Sequence, residues 1–200
     1  MADSYFTILR QSSGIYKDKG SKFLSFAIPV KDTEEIKLVL DTYRKEYYDA
    51  RHVCYAYMLG SERTIFRSND DGEPSGTAGK PILGQINSYG LTDVLIIVVR
   101  YFGGILLGTG GLIAAYKAAA KDAIENAQIT ECAVLKDYNI SFPYEIVNDI
   151  MHICKDYSAI VKQSDYTDDS QIMHLSVEQA VSQAFEEKIN KYTGYGLKKL

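Results

Sequence analysis

The 200-residue sequence has no tryptophan, four prolines and three cysteines. Cys54, Cys132 and Cys154 are odd in number and far apart, so they indicate neither a disulfide framework nor the paired cysteines of a zinc site. The longest aliphatic run, residues 94–99, is far too short to cross a bilayer, and residues 1–10 contain no apolar stretch typical of a signal peptide. We therefore expect a cytoplasmic protein that does not associate with membranes.

The chain also has no excess of basic residues. Its 22 lysines and arginines stand against 26 aspartates and glutamates, and residues 1–133 and 134–200 are each slightly acidic. Because binding to a polyanion depends on clustered cations, such a chain can bind RNA only if its positive side chains gather on one face. Lys17, Lys19 and Lys22 form the densest cluster, although a hairpin with exposed lysines is the simpler interpretation. No specificity for DNA is expected.

Glycine, by contrast, is concentrated in one part of the chain, since ten of the fifteen glycines lie between Gly72 and Gly111. They form two clusters, at residues 70–81 and 100–111. A buried strand at 93–99 precedes the second cluster, and an amphipathic helix with Thr109 as its expected cap follows it. A strand, a glycine loop and a helix N-terminus in this order expose backbone N–H groups in a concavity, which is typical of anion sites. Tight turns without a ligand are the alternative.

The predicted cleft has a glycine-rich wall with flanking cations and an acidic loop. The residues expected to bind an anion or a nucleic acid are Lys80, Arg100, Tyr101, Phe102, Gly103, Gly104, Gly108, Thr109, Gly110, Gly111 and Lys117. The acidic loop comprises Asp70, Asp71, Gly72, Glu73 and Pro74. The sequence lacks the Walker pattern, since Pro81 follows Gly79-Lys80, and the dinucleotide pattern, since Ile113 occupies its last small-residue position. ATP and NAD are therefore disfavoured, and no cofactor is expected.

Two residues offer a possible nucleophile and base. His52 and Cys54 are two apart on a predicted strand, so their side chains would face the same side. A buried cysteine near a hydrogen-bonded histidine is the simpler interpretation, because buried cysteine usually behaves as a small hydrophobe. No catalytic residue is predicted.

The acidic loop has three alternative interpretations. Asp70, Asp71 and Glu73 could hold Mg²⁺ through carboxylate oxygens. Asp-Gly and Glu-Pro are also common turn dipeptides, so a solvated turn is the simpler interpretation. The same acids could instead pair with Arg100 or Lys80 across the cleft. No metal site is predicted.

The polarity pattern predicts an α+β fold with two domains, residues 1–130 and 131–200. Three strands with turns near 12–14 and 19–20, a helix capped by Asp32 and a hairpin with strands at 52–57 and 63–67 come first. A short helix at 82–86, the buried strand and the alanine-rich helix complete a sheet with helices expected on one face. Beyond residue 128 the order is β-α-β-β-α, which is most simply a ferredoxin-like unit.

Four segments resemble the IMPACT family, in particular its bacterial YigZ-like branch. They are residues 21–23, 49–57, 70–79 and 100–111. The resemblance covers the first 130 residues, and the rest is similar to the small appended domain of that branch. It implies an N-terminal domain like the second domain of ribosomal small-subunit protein five, with a left-handed βαβ arrangement. It also implies a C-terminal ferredoxin-like domain similar to the fifth domain of elongation factor G.

The resemblance also implies a role in translation. Eukaryotic relatives regulate translation under amino-acid starvation through a protein scaffold that activates a kinase, and we expect this chain to lack their N-terminal partner-binding domain. The resulting hypothesis is a non-enzymatic, cytosolic, translation-associated regulator. It would bind RNA, the ribosome or a translation-related protein partner through the glycine-rich cleft. The alternative is a hydrolase acting on a small phosphorylated or peptide substrate in the same cleft.

Overall fold

The structure is a computed structural model that describes residues 3–193 and 198–199. Its mixture of helices and strands confirms the predicted α+β class. Contacts between residues divide the chain into two compact units, one formed by Tyr5–Cys132 and the other by the described residues before and after it. None of the helices in the described part is both long and apolar enough to cross a membrane.

The larger unit is built on a five-stranded sheet. Its elements are β1 (Ser4–Ile8), β2 (Ser12–Asp18), β3 (Ser21–Pro29), α1 (Thr33–Glu46), β4 (His52–Leu59), β5 (Ile65–Asn69), α2 (Gly79–Ser88), β6 (Val94–Tyr101), α3 (Gly108–Glu125) and β7 (Ile129–Ala133). The order in the sheet is β2-β3-β6-β4-β5, and every neighbouring pair is antiparallel. β1 and β7 form a separate two-stranded sheet.

The central strand β6 is buried on both faces of the sheet. On one face, Val94, Ile96 and Val98 pack with α2 and α3. On the other face, Leu95, Ile97 and Val99 pack with α1. The expectation that all helices lie on one face is therefore wrong. An uninterrupted apolar run is typical of a strand covered on both sides, and β6 is such a strand.

Local chemistry sets several element boundaries. Asp32 caps α1 as predicted, since its Oδ1 accepts hydrogen bonds from the backbone N–H groups of Glu34 and Glu35. The β4–β5 hairpin is confirmed; β4 is two residues longer than predicted, and β5 has the predicted length but begins two residues later. Thr109 does not cap α3, because the helix already begins at Gly108 and its capping position makes no side-chain hydrogen bond.

The turn predicted at residues 12–14 is wrong, because these residues belong to β2. Gly14 is a glycine for a packing reason rather than for a turn. A Cβ atom at Gly14 would lie 2.6 Å from the backbone nitrogen of Ala123, so its absence lets α3 pack directly against β2.

The smaller unit contains a four-stranded antiparallel sheet. Its elements are β8 (Leu135–Pro143), α4 (Val147–Asp156), β9 (Ile160–Tyr166), β10 (Ser170–Glu178), α5 (Ser182–Thr193) and β11 (Lys198–Lys199). The strand order is β11-β8-β10-β9. Tyr138, Phe142, Ile150 and Phe185 belong to its buried core. The predicted β-α-β-β-α order is present, and β11 follows it.

Candidate functional site

A cleft of about 420 Å³ opens at the end of the sheet where β6 leads towards α3. Arg51, His52 and the acidic-loop residues Gly72, Glu73 and Pro74 line one part of it. Arg100 and Phe102 at the end of β6 and the loop residues Leu106 and Leu107 line another. Gly108, Thr109 and Leu112 contribute the first turn of α3. The cleft therefore brings one end of β6, the acidic loop and a helix N-terminus together.

An ion pair lies at the base of the cleft. Arg100 Nη1 donates to Glu73 Oε1 at 2.6 Å, and the two side chains are only 8% and 3% exposed. The Tyr116 hydroxyl donates to the same Glu73 oxygen at 2.8 Å. Of the three interpretations of the acidic loop, pairing across the cleft is thus the one that applies to Glu73.

Aromatic rings enclose the Arg100 guanidinium. Its central carbon lies 5.5 Å from the centre of the Phe23 ring and 5.7 Å from that of Phe102. Its Nε atom is buried and has no hydrogen-bond partner among the described residues. Glu73 compensates the charge of Arg100 and the aromatic rings hold its position, so Arg100 forms part of the cleft's floor and retains one unsatisfied donor.

The Asp70 carboxylate organises the acidic loop. Its two oxygens accept hydrogen bonds from the backbone N–H groups of Gly76, Ala78 and Gly79. Burial alone would raise the pKa of Asp70, but these three bonds and the nearby Lys80 charge together hold the pKa below its usual value. Asp70 therefore joins the loop to the start of α2.

Asp71 joins the same loop to β4. Its Oδ2 accepts from the backbone N–H of Val53 at 2.7 Å, and its own backbone has a φ of 42°, followed by Gly72 at 84°. Two consecutive left-handed residues bend the chain so that Glu73 enters the cleft. The carboxylates of Asp70 and Asp71 thus both accept hydrogen bonds from backbone N–H groups. Within residues 3–193, no group of three or more His, Cys, Asp or Glu is arranged to hold a metal ion.

His52 and Cys54 do not form a nucleophile and base pair. Cys54 is fully buried, and its Sγ lies 3.0 Å from the Asp70 carbonyl oxygen and 3.3 Å from the Tyr116 hydroxyl. Burial raises the pKa of the Cys54 thiol well above its usual range, so the reactive thiolate is not formed at neutral pH. His52 Nδ1 instead donates to the Asp71 carbonyl oxygen at 2.7 Å. The hydrolase alternative thus loses the nucleophile that the sequence suggested.

The loop between β6 and α3 rests on the β2–β3 hairpin. A Cβ atom at Gly103 would lie 1.9 Å from the carbonyl carbon of Gly20, and the Gly103 N–H donates to Ser21 Oγ. Gly104 and Gly108 have φ values of 87° and 72°, which only glycine adopts without strain. These glycines are required by packing and backbone conformation.

The start of α3 supplies the cleft with backbone donors. The first N–H groups of an α-helix have no acceptor within the helix, and the capping position of α3 provides no side-chain acceptor. Thr109 lies in this first turn and is exposed, as is Gly110. No atom lies within 4 Å of a Cβ built at Gly110, so neither packing nor backbone conformation requires glycine there.

The structure brings together only part of the predicted site. Arg100, Phe102, Gly108, Thr109, Gly72, Glu73 and Pro74 line the cleft. Lys80, Tyr101, Gly103, Gly104, Gly110, Gly111, Lys117, Asp70 and Asp71 are not among the lining residues. Lys80 and Lys117 are exposed on α2 and α3, and the Tyr101 hydroxyl donates to Asp49. Thus the two lysines expected to flank the site do not line it.

The cleft also contains residues that the sequence did not assign to it. His52 lies directly opposite Arg100 in the pairing of β4 with β6, and the exposed Arg51 precedes it. Leu106, Leu107 and Leu112 add an apolar surface. The only signal for Arg51 and His52 would have been the pairing of β4 with β6, which connects positions about fifty residues apart.

Comparisons with known proteins identify the family. The family model for the Impact N-terminal domain matches residues 19–124. The chain belongs to the IMPACT family. It is 31% identical over 193 residues to the IMPACT family member YvyE of Bacillus subtilis, covering 96% of this chain and 88% of that protein. It is 35% identical over 150 residues to the IMPACT family member YigZ of Escherichia coli, covering 74% of each chain. The predicted resemblance to the bacterial branch of the family is therefore confirmed.

The similarity to eukaryotic IMPACT proteins is more limited. Protein IMPACT of Xenopus laevis is 36% identical over 96 residues, which are 46% of this chain and 30% of that protein. A crystal structure described only as that of an hypothetical protein has a TM-score of 0.79 at 29% identity, covering 100% of this chain and 98% of that one. Structural similarity thus extends along the whole chain.

Proposed function

We propose that this IMPACT-family protein is a non-enzymatic, cytoplasmic regulator of translation whose cleft binds RNA, either on the ribosome or free. The regulatory role rests on membership of the family. The uncapped start of α3 in the cleft wall is the observation that supports RNA binding. Unpaired N–H groups at the positive end of a helix dipole favour phosphate oxygens.

Two further donors in the cleft support an anionic ligand. Arg51 is exposed on its rim and has no ion pair with any residue in the described part of the chain. Arg100 Nε is a buried donor without a protein acceptor. A phosphate oxygen at the start of α3 would thus meet backbone donors on one side and the exposed guanidinium of Arg51 on the other.

The lysine hairpin extends this positive surface. Lys17 lies directly opposite Lys22 in the pairing of β2 with β3, and Lys19 lies in the turn between them. All three are exposed, and the hairpin contacts Gly103 in the loop that leads to the cleft. This clustering supports RNA binding by a chain whose net charge is −4, because local potential rather than net charge attracts the polyanion.

The exposed ring of Phe102 offers a surface for a base. It is 48% exposed and lines the cleft beside Arg100. Bases of single-stranded RNA stack on such rings, and this stacking adds about 1–3 kcal/mol for each base. We therefore expect single-stranded RNA to be preferred over a duplex.

We also propose that both domains have folds found in the translation machinery. The smaller unit has the order β-α-β-β-α-β, which supports a ferredoxin-like domain similar to the fifth domain of elongation factor G. In the larger unit, α1 connects β3 and β4 across β6, which supports a βαβ domain like the second domain of ribosomal small-subunit protein five. We place the boundary between these domains near residue 130.

An RNA-binding assay over a salt series tests the proposal. We expect the protein to bind single-stranded RNA and ribosomes at about 50 mM salt and to lose most of this affinity by about 200 mM. Arg51→Ala should weaken binding and reduce the salt slope by about one. Arg10→Ala is the matched control, because Arg10 is an exposed arginine that precedes β2 and does not line the cleft. Absence of binding by the wild type at low salt would contradict the proposal.

A translation-related protein partner is the second candidate. Ile105 and Leu106, in the loop beside the cleft, are exposed although both are large apolar residues. An exposed apolar loop next to a polar cleft is typical of protein interfaces. If ribosome binding is lost in Leu106→Ser but free RNA binding is unchanged, the loop contacts protein rather than RNA.

A further inference from the structure

The two edges of the five-stranded sheet differ in whether another element covers them. α3 covers the β2 edge, where the Ile15 N–H donates to Asp122 Oδ2 and the Ser12 hydroxyl donates to the Ala123 carbonyl oxygen, both at 2.7 Å. β5 forms the opposite edge, and no strand in residues 3–193 or 198–199 pairs with its outer side. A free edge leaves a row of backbone donors and acceptors ready to pair with another strand.

The free edge carries apolar side chains. Ile65 is 54% exposed and Phe66 is 57% exposed, and they are the first two residues of β5. Proteins usually protect a free edge with charged residues, proline or a bulge. β5 has one charged residue, Arg67, contains no proline and pairs with β4 in continuous register. Its exposed apolar residues therefore leave this edge only partly protected.

A basic groove runs beside this edge on the α1 face of the sheet. It has a volume of about 270 Å³ and lies between α1 and the β4–β5 hairpin, with Tyr55 and Tyr57 in its lining. Lys37, Arg44 and Arg67 bring three positive charges to it, against the single carboxylate of Asp41. Arg44 also makes a long ion pair with Asp71, with 3.9 Å between its Nη2 and Asp71 Oδ1.

We propose that the outer edge of β5 binds an extended acidic segment of a partner protein, which adds a sixth strand to the sheet. Alternate side chains of such a strand lie on opposite faces. Acidic side chains on the α1 face would meet Arg67, Lys37 and Arg44. Apolar side chains on the other face would lie beside Phe66, which pairs with Met58 on the face that α2 covers.

Charge argues against a second copy of the chain as the occupant. Symmetric pairing of two β5 strands would bring the two basic grooves together, with Arg67 of each strand close to the other. Like charges on neighbouring strands destabilise pairing. An acidic segment, in contrast, complements the three basic side chains.

A peptide-binding experiment on the full chain tests this proposal. The probe is a short, end-capped, fluorescein-labelled peptide of alternating valine and glutamate, and fluorescence anisotropy measures its binding. We expect saturable binding that weakens about fivefold in Arg67→Glu, because the charge reversal replaces an attraction by a repulsion. Phe66→Ser should weaken binding as well. Arg10→Glu makes the same charge change away from the groove and should bind like the wild type.

Four outcomes would overturn the proposal. The first is no saturable binding by the wild type. The second is equal binding of the glutamate peptide and a lysine-containing peptide of the same pattern. The third is a set of amide shifts on binding that map outside β5. The fourth is a wild-type dimer in light scattering that Phe66→Ser converts to a monomer, because the edge would then bind a second copy.

Discussion

Arg100 Nη1 lies 2.6 Å from Glu73 Oε1, so this ion pair connects the acidic loop to the end of the central strand β6. The pair is almost fully buried, and the Tyr116 hydroxyl supplies a further hydrogen bond to Glu73. Burying two charges costs solvation energy that only well-formed contacts offset. The pair therefore defines the base of the cleft while leaving little net charge there.

Removing one member of this pair should strongly destabilise the larger unit. Arg100→Met or Glu73→Leu alone leaves an uncompensated buried charge, with an expected loss of about 3–5 kcal/mol in the free energy of unfolding. The double variant Arg100→Met/Glu73→Leu should lose much less than the sum of the two. Urea denaturation monitored by tyrosine fluorescence measures these free energies of unfolding, since the chain has no tryptophan. Additive losses would mean that the two charges do not interact.

Two glycines of the same segment should respond to alanine in opposite directions. Gly103→Ala places a Cβ atom 1.9 Å from the Gly20 backbone, so we expect a loss of about 3 kcal/mol or more, or failure to fold. Gly110→Ala meets no neighbour and should stabilise α3 by up to about 1 kcal/mol. Thermal unfolding of the two variants compares them directly. A stable Gly103→Ala protein would show that the loop does not rest on the β2–β3 hairpin.

The Asp70 carboxylate should make stability depend on pH in the acid range. Its pKa in the folded chain lies below the usual 3.8, so its stabilising contribution is present above that value and is lost as the pH falls through the lower, folded pKa. Asp70→Asn should lower stability at neutral pH and flatten the decline below about pH 4. Urea midpoints over this range measure the effect, with the exposed Asp41→Asn as control. An unchanged slope in Asp70→Asn would contradict the account of the loop.

The three thiols should differ in their reactivity. Burial raises the pKa of Cys54 far above its usual range and that of Cys154 to about 11, whereas Cys132 is only partly buried. We expect one thiol, Cys132, to react with Ellman's reagent in the folded protein, and all three in urea. Cys132→Ser should abolish the reaction of the folded protein. Rapid reaction of Cys54 would revive the hydrolase alternative, and any turnover lost in Cys54→Ala would support it.

The sequence predicted the elements whose signals are local. Asp32 and Glu35 mark the start of α1 because a capping interaction depends on residues three apart, and the apolar run of β6 marks a buried strand. The strand β7 was missed because it is short, at five residues, and its residues are exposed or partly buried, which leaves no polarity pattern. Thr109 has the side chain of a helix cap, but α3 already begins at Gly108, whose φ is positive. Thr109 therefore lies inside the first turn of the helix.

The site was predicted less completely because it depends on long-range pairing. The glycine clusters indicated which loops form the cleft, and the acids were expected to pair with a cation. The sequence could not show which acid pairs with which cation, because this depends on the groups that each carboxylate meets in the folded chain. These are backbone N–H groups for Asp70 and Asp71 and the Arg100 side chain for Glu73. Lys80 and Lys117 are near the clusters in sequence, yet helical geometry directs them elsewhere.

The most direct test of the central claim follows the backbone amides at the start of α3. A ¹⁵N-labelled sample is titrated with a short single-stranded oligouridylate, in the wild type and in Thr109→Asp. The added carboxylate should stabilise α3 slightly, by about 0.5 kcal/mol, while competing with phosphate for the same amides. Thr33→Asp makes the same change at the start of α1 and serves as the control.

We predict saturable shifts of the amides from Gly108 to Gly111 in the wild type and in Thr33→Asp, with affinity reduced about tenfold in a folded Thr109→Asp protein. Oligouridylate that leaves these amides unshifted, or that binds Thr109→Asp as tightly as the wild type, would contradict the claim that this helix start binds RNA.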